Sequence, residues 1–399
     1  MRIAVASWTI RQVGGVESYL GTVIPALRAS GADVAFFHEV NLPSDRFCIN
    51  TADVPLFNAE SMGVDAAAAA LRAWKPDVMY MHGLRDPETF ARLTATAPSV
   101  TFIHTYLGTC VSGTKTHTRP HPIPCEKRFG PMCLVHYFPR GCGGRSPVTM
   151  WKLYQKESRQ LALLRQQNAV VTHSAHMQQE LAAHGVAADV IPYAVVIPGL
   201  NRTPNVTRAW DILFAGRMDP LKGGTFLLDA LRAIQARLKQ SLRVTFAGDG
   251  PDRQEWEARA RAVAVECRDI TITFAGWCDE VQLGTLIRDS RVLVVPSLWP
   301  EPFGSVGMAA AQYGVPAAAF AVGGIPQWLH DGVNGHLASG SPPTADGLAN
   351  AVVRCLEDPR HYDELSRGAR RMSETFTMDT HLPELMRILE RVTDGRRVA

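Results

Sequence analysis

The sequence predicts an α/β protein of two doubly wound domains, and three observations carry that prediction. A chain of 399 residues exceeds what one hydrophobic core usually serves. Short apolar runs alternate with helix-period segments through both halves, the grammar of βαβ units. The alternation stops and restarts around residues 191–210, where Pro, Asn and Thr gather into a linker.

Taken in order, RIAVAS opens the first half as a buried strand. One basic residue precedes its short apolar run and no small-residue cleavage site follows, so it does not read as a secretion signal. ADVAFFHEV, DVMYMHG, SVTFIHTY and NAVVTHSA repeat the strand pattern, with helical segments such as VESYLGTVIPALRAS and AAAAALRAW between them. The second half restarts at WDILFAGRM and continues through RVTFAGDG, ITITFAG, RVLVVPS and PAAAFAV. The expected division is residues 1–195, 196–375 and a closing segment 376–399. Apolar residues make up 46% and charged residues 20%, an ordinary globular balance. A formal charge of +3 is too small to indicate nucleic acid, and no apolar stretch approaches the roughly 18 residues of a membrane span. The expected location is the cytoplasm.

In open sheets of this kind ligands bind beyond the carboxyl ends of strands, so the residues there carry the functional information. Gly14 and Gly15 precede a helix after the first strand, a place where backbone amides can meet an anion, although G-x-G-x-x-G is absent. After DILFAG come Arg217 and Lys222, then Gly223 and Gly224 before a helix. Two cations five residues apart suit a diphosphate, Arg gripping two oxygens and Lys supplying a point charge. Gly248 and Gly250 flank Asp249 in a turn where a base or ribose could approach the backbone. In SLWPEPFGSVGMAAAQYGVP the strand end delivers Glu301, Pro302 fixes the turn, and Gly304 opens a helix whose first amides, at Ser305 and Val306, lack intrahelical acceptors. A carboxylate beside free amides can hold sugar hydroxyls and the attached phosphate. His104, His173 and Ser174 follow first-half strands and are further candidates.

With these residues in view, the chain resembles the retaining glycosyltransferases of family 4. GGVESYL, KPDVMYMHG, VTFIHTY, VVTHSAHMQQEL, FAGRMDPLKGG, FAGDGP, VVPSLWPEPFG, YGVPAAAF, VGGIP and DGVNGHL occur in that family's order. The resemblance implies the GT-B architecture, two facing Rossmann-like domains with an interdomain cleft, and a closing helix, FTMDTHLPELMRIL, that returns to the first domain. It further implies that Arg217 and Lys222 hold the donor diphosphate with Gly15 near it across the cleft. Glu301 would contact the transferred sugar with backbone around Phe303, Gly304, Ser305 and Val306, and His104 would approach that sugar from the acceptor domain. The implied donor is a nucleotide-diphosphate sugar and the implied acceptor a hydroxyl. No Asp-x-Asp stands at a strand end, so no cofactor is expected for catalysis.

The chain departs from the family pattern at two places. Where E-x7-E would put a second glutamate stands Ala309, whose methyl group cannot hold a ribose; Gln312 is a doubtful substitute, and Gln327 stands where Glu is usual. These changes keep open a second reading, a sugar-nucleotide or glycan-binding relative without turnover. A phosphorylase is a third.

Residues 105–147 show no periodicity and are rich in Pro and Gly. They contain Cys110, Cys125, Cys133 and Cys142, with His117, His121 and His136. Structural zinc on the four cysteines, reduced thiols, and redox or disulfide use are all open, since C-x2-C spacing is absent. Between residues 111 and 165 ten Lys or Arg face two acids, Glu126 and Glu157. That imbalance suits a lipid-linked or anionic acceptor and peripheral contact with the inner membrane surface.

Overall fold

The computed structural model describes residues 1–43, 49–50, 53–195 and 210–397. Most of the expected linker, and Cys48, lie outside these residues. The chain divides into two compact units. One comprises Met1–Lys115, Glu126–Ala194 and Thr377–Ala399; the other comprises Thr116–Cys125 and Val195–Phe376.

The first stretch runs β1 (Arg2–Thr9), α1 (Gly15–Ala29), β2 (Asp33–Val40), β3 (Leu56–Asn58), α2 (Ala59–Met62), α3 (Val64–Ala73), β4 (Val78–His82), α4 (Pro87–Thr94) and β5 (Ser99–Phe102). A small hairpin follows, β6 (Thr116–His117) and β7 (Ile123–Pro124), and it groups with the second unit. The first unit resumes with α5 (Met132–His136), α6 (Pro147–Leu164), β8 (Ala169–Thr172), α7 (Ala175–Ala183) and β9 (Asp189–Val190). The second unit contains β10 (Trp210–Ala215), α8 (Gly224–Leu238), β11 (Leu242–Ala247), α9 (Arg253–Glu266), β12 (Ile270–Gly276), α10 (Glu280–Arg288), β13 (Val292–Val295) and α11 (Val306–Gln312). It continues through β14 (Ala317–Phe320), α12 (Ile325–Trp328), β15 (Gly335–Ala338), α13 (Ala345–Leu356) and α14 (Pro359–Ser373). The last helix, α15 (Met378–Arg397), belongs to the first unit.

Both sheets have the same logic. The first runs β3-β2-β1-β4-β5-β8-β9 and the second β12-β11-β10-β13-β14-β15, with parallel pairing throughout. Helices cover both faces, so central strands such as VMYMH, AVVT, VLVV and AAAF are buried along their whole length. Local chemistry sets the helix starts: Asp86, Ser146 and Asp358 accept amide bonds at the N-caps of α4, α6 and α14, each followed by proline at the first helical position. In each sheet the strand order reverses once, between β1 and β4 and between β10 and β13. Such a reversal is the place where doubly wound sheets take ligands, between loops that leave for opposite faces.

Candidate functional site

At the reversal in the second sheet, two loops meet. The loop after β10 carries Arg217, turns through Asp219, whose carboxylate accepts the amides of Leu221 and Lys222, and enters α8 at Gly223. Gly223 has φ +67°, and an added Cβ would lie 1.9 Å from the Pro296 carbonyl oxygen, so only glycine lets this loop close on the end of β13. Leu298 donates its amide to Leu221 O at 2.7 Å and stitches the two loops together.

That closure brings Lys222 Nζ to 2.6 Å from Glu301 Oε1. Ser297 donates its hydroxyl to the same oxygen, also at 2.6 Å. The Glu301 side chain is 6% exposed, so the cation and the hydroxyl offset the desolvation of its charge. Lys222 also lies over the Trp299 ring at 5.2 Å. Arg217 is mostly exposed, with Asp219 3.8 Å away.

The Glu301 loop is held from behind by the VGGIP segment. Gly324 donates its amide to Glu301 O at 2.6 Å, and Trp328 Nε1 donates to Phe303 O at 2.6 Å. At Gly323, with φ +56°, a Cβ would fall 2.3 Å from Glu301 O. Phe303 is buried, Gly304 takes φ +86°, and α11 begins at Val306 with Ser305 at its N-cap. Glu301, Phe303, Gly304, Ser305, Val306, Arg217 and Lys222 therefore share one crevice of the second unit.

Gly248 and Gly250 let two backbone segments pack closely. Added Cβ atoms would lie 2.0 Å from Gly216 O and 2.2 Å from Met218 O, so the space they leave is filled by the Gly216–Met218 backbone. Ala309 is buried within α11. Gln312 does not take over its position: its Nε2 donates to Val195 O at 2.5 Å.

The reversal in the first sheet is built otherwise. Gly15 opens α1, whose first turn is closed by the Glu17 carboxylate accepting the Gly14 amide at 2.8 Å. Behind it, at the ends of β4, β5 and β8, stand His82, His104 and His173, joined by Tyr19 from α1, Tyr80, Tyr193 and His381 from α15. His82 Nδ1 and His104 Nε2 are 3.0 Å apart. The Tyr19 hydroxyl bridges Tyr80 OH at 2.6 Å and His381 Nε2 at 2.7 Å, and His381 Nδ1 lies 2.6 Å from Pro192 O. Burial lowers His82 and His173 to about 3 and His381 to about 4. It also holds His104 well below its ordinary value, helped by the neighbouring imidazoles. His104 and His173 stand out in the sequence as strand-end residues, but nothing local links them to partners that run from residue 19 to residue 381. Ser174 is occupied in capping α7, accepting the Met177 amide at 3.1 Å.

In the same unit a cavity of about 630 Å³ is lined by residues including Trp8, Glu39, Arg85, Asp86 and Lys156. The Arg85 guanidinium lies 3.3 Å over the Trp8 ring. Glu39 accepts the amides of Arg85 and Asp86 at 2.9 and 3.0 Å, yet burial dominates and pushes its carboxyl up to about 7.

The cysteine-containing segment is organised around a buried ion pair that the sequence did not advertise: Lys115 Nζ lies 2.5 Å from Glu180 Oε1 and 2.7 Å from Lys127 O. Cys110 Sγ lies 3.2 Å from Ser112 Oγ, while Cys133 and Cys142 face the carbonyls of Arg128 and His136. Cys125 falls in the hairpin segment. Among the described residues no group of three or more His, Cys, Asp or Glu is placed to hold a metal ion, and no helix is long and apolar enough to cross a membrane.

The architecture is GT-B, two Rossmann-like domains in one chain, and solved structures share it across nearly their whole length. HepE from Anabaena, solved with UDP and glucose, superposes with a TM-score of 0.68 at 18% identity over 97% of this chain and 99% of that one. Sucrose-phosphate synthase from Thermosynechococcus elongatus gives 0.67 at 19% identity over 99% of each chain. Residues 201–372 match the model of the family described as Glycosyl transferases group 1. Over 235 residues the chain is 29% identical to glycogen synthase of Mycobacterium tuberculosis, covering 55% of this chain and 53% of that protein. Over 173 residues it is 34% identical to D-inositol 3-phosphate glycosyltransferase of Streptomyces bingchenggensis, covering 42% of this chain and 37% of that protein. The matched region thus spans about half of the first relative and little more than a third of the second.

Proposed function

We propose that the protein is a family 4 glycosyltransferase that moves a sugar from a nucleotide-diphosphate donor to a hydroxyl acceptor, with retention of configuration and without a required cofactor. The observation that carries the reading is the Lys222–Glu301 pair at the strand-order reversal of the second sheet. A lysine ammonium has three donors, and one is spent on Glu301, so others remain for diphosphate oxygens, with Arg217 as the second cation. The bonds from Lys222 and Ser297 both fall on Oε1 of Glu301, which leaves Oε2 for a sugar hydroxyl. As the glycosidic bond to the diphosphate breaks, positive charge develops on the sugar in an oxocarbenium-like transition state and negative charge on the leaving phosphate. Lys222, Arg217 and the amides of Ser305 and Val306 stabilise the latter.

Two further findings agree with a nucleotide-sugar donor: the group 1 family match, and the UDP and glucose bound by HepE, a protein of the same fold. In this reading the Trp8–Glu39–Arg85 cavity of the first unit admits the acceptor, and His104 is that unit's candidate for contact with the sugar. The loop cysteines remain thiols. The protein works in the cytoplasm at the inner membrane surface on a lipid-linked acceptor, in cell-surface polysaccharide or glycolipid synthesis.

A thermal-shift screen of nucleotide sugars, followed by assays of sugar release to water and of transfer, tests the proposal. A melting shift with one donor, together with sugar release that Glu301→Gln and Lys222→Ala abolish, is expected; absence of any shift across the panel refutes it. Ala309 favours one competing reading, a binding relative without turnover. A melting shift with neither release nor transfer selects that reading instead.

A further inference from the structure

We propose that α5, the loop after it and the first half of α6 form a docking surface for an anionic lipid layer, with Phe138, Val148 and Trp151 entering the headgroup region and Arg140, Arg145 and Lys152 pairing with lipid phosphates. The assignment rests on the membrane-surface reading above and gives it a location.

Short α5 buries none of its residues. Its Met132 and Val135 are 56% and 62% exposed, and Val148 and Trp151 at the start of α6 are 63% and 49% exposed. On α6 the exposed positions 148, 151, 152, 155 and 159 recur at helical spacing, so they share one face, while Glu157, Gln160, Leu161 and Leu164 are buried. Trp151 lies 6.0 Å from the Tyr154 ring, and Tyr154 lies 5.2 Å from Phe129, so the aromatics form a continuous band. Side chains of this size in water carry a free-energy cost that a covering layer removes.

The charges around this band point to what covers it. Among the described residues, Lys127, Arg128, Arg140, Arg145 and Lys152 have no carboxylate partner. Between residues 127 and 159 the one acid is Glu157, which is buried and accepts the Gly108 amide at 2.6 Å. Lys156 approaches Glu157 at 3.9 Å, and Arg159 is paired with Glu88. A face that interleaves aromatic and aliphatic side chains with uncompensated cations matches the interfacial zone of a bilayer, where the apolar parts reach the acyl boundary while the cations stay among phosphates.

Co-sedimentation of the full chain with vesicles tests the assignment, using phosphatidylglycerol mixed with phosphatidylcholine, and phosphatidylcholine alone. The wild type is expected to sediment with the anionic vesicles at low salt and to be released at high salt. At roughly fivefold per cation, Arg145→Glu with Lys152→Glu lowers the partition by roughly 25-fold or more. Trp151→Ser lowers it several-fold and leaves the salt dependence intact. All three positions are exposed, so unchanged melting temperatures verify that the variants fold. An absence of sedimentation with anionic vesicles at low salt overturns the assignment, as do variants that partition like the wild type. Capture by soluble polyglutamate with no loss in Trp151→Ser also overturns it, in favour of an acidic protein partner. A nucleotide-sugar melting shift, read on the same samples, keeps the two proposals apart: its loss would refute the transferase reading while vesicle binding stood.

Discussion

The two sheets reverse their strand order in the same way and fill the resulting crevices oppositely. In the second unit the crevice holds charge, a buried carboxylate paired with Lys222 and hydrogen-bonded by Ser297. In the first, the ends of β4, β5 and β8 are occupied by neutral imidazoles and phenols that share hydrogen bonds. One backbone plan thus supports two electrostatic solutions. A site that must meet a highly charged ligand keeps a cation in reserve, whereas a site that must present hydroxyl and imidazole groups keeps them uncharged by burial.

Acid should break this comparison most strongly. His82, His173 and His381 have folded values near 3, 3 and 4, below the ordinary 6.5. The unfolded chain therefore binds more protons between those values, and stability present above about pH 6.5 is lost as pH falls. Glu17, Glu39 and Glu157 in the same unit are shifted upward and act in the opposite sense: their contribution is full below about 4.5 and is lost as pH rises, for Glu39 through about 7. The imidazole effect continues below pH 4.5, where the carboxyl effect has saturated. On balance the first unit therefore loses stability in that acid range. In the second unit His336 is also lowered by burial, but its bond to Asp331 at 2.9 Å opposes the shift. Hydrogen exchange followed from pH 7 to pH 4 should show the first unit opening before the second; simultaneous opening, or the reverse order, would contradict the argument.

Lys222→Ala should have the next largest effect, and at the other crevice. Removing the ammonium leaves Glu301 buried with Ser297 as its remaining bonded partner, at a cost of roughly 3 kcal/mol. Donor-dependent activity should fall by about a hundredfold or more, since a preorganised cation at the leaving group is lost. Lys222→Arg should recover much of the stability and less of the activity, because a planar guanidinium does not replace a compact ammonium over Trp299. Equal loss of activity and stability in both variants would mean that Lys222 serves the fold alone.

How far this contrast could be read from sequence depends on the distance over which each feature is encoded. The strands and helices were legible because periodicity is local. So was the Lys222–Glu301 crevice, because both residues follow strand ends within recognisable turns. The roles of Gly323 and Gly324 become plain only when their backbone is seen against Glu301 O. That Gly248 and Gly250 also let the Gly216–Met218 backbone pack against their turn is visible only in three dimensions. Of the imidazole–phenol network only His104 and His173 are legible in the sequence; its other members, like the Lys115–Glu180 pair, have partners tens to hundreds of residues away and carry no spacing signal.

Tyr19→Phe sharpens the first half of the comparison. The hydroxyl of Tyr19 joins Tyr80 and His381, both buried, so its removal deprives each of a partner without opening a cavity. A loss of about 1–3 kcal/mol is expected from the desolvated groups left behind. His381 should then titrate differently by NMR while the second unit melts unchanged. An unaltered His381 resonance would show that the bridge contributes nothing.

Gln312→Ala probes the weakest point of the charged crevice, the place of the missing second glutamate. If Gln312 compensated for Ala309 by holding the donor ribose, its loss would weaken donor binding roughly tenfold, the worth of one polar contact of about 1.5 kcal/mol. The Gln312 amide instead donates to Val195 O, bracing the start of the second unit against α11. Removing it should therefore cost about 1 kcal/mol of stability and leave the donor dissociation constant within a factor of two. Titration of the variant with the donor that shifts the wild-type melting temperature decides the matter, because only a ribose contact would move the dissociation constant. With Gln312 committed to the backbone, the proposed donor would be held through its diphosphate by Arg217 and Lys222, and a donor stripped of its diphosphate should bind neither wild type nor variant.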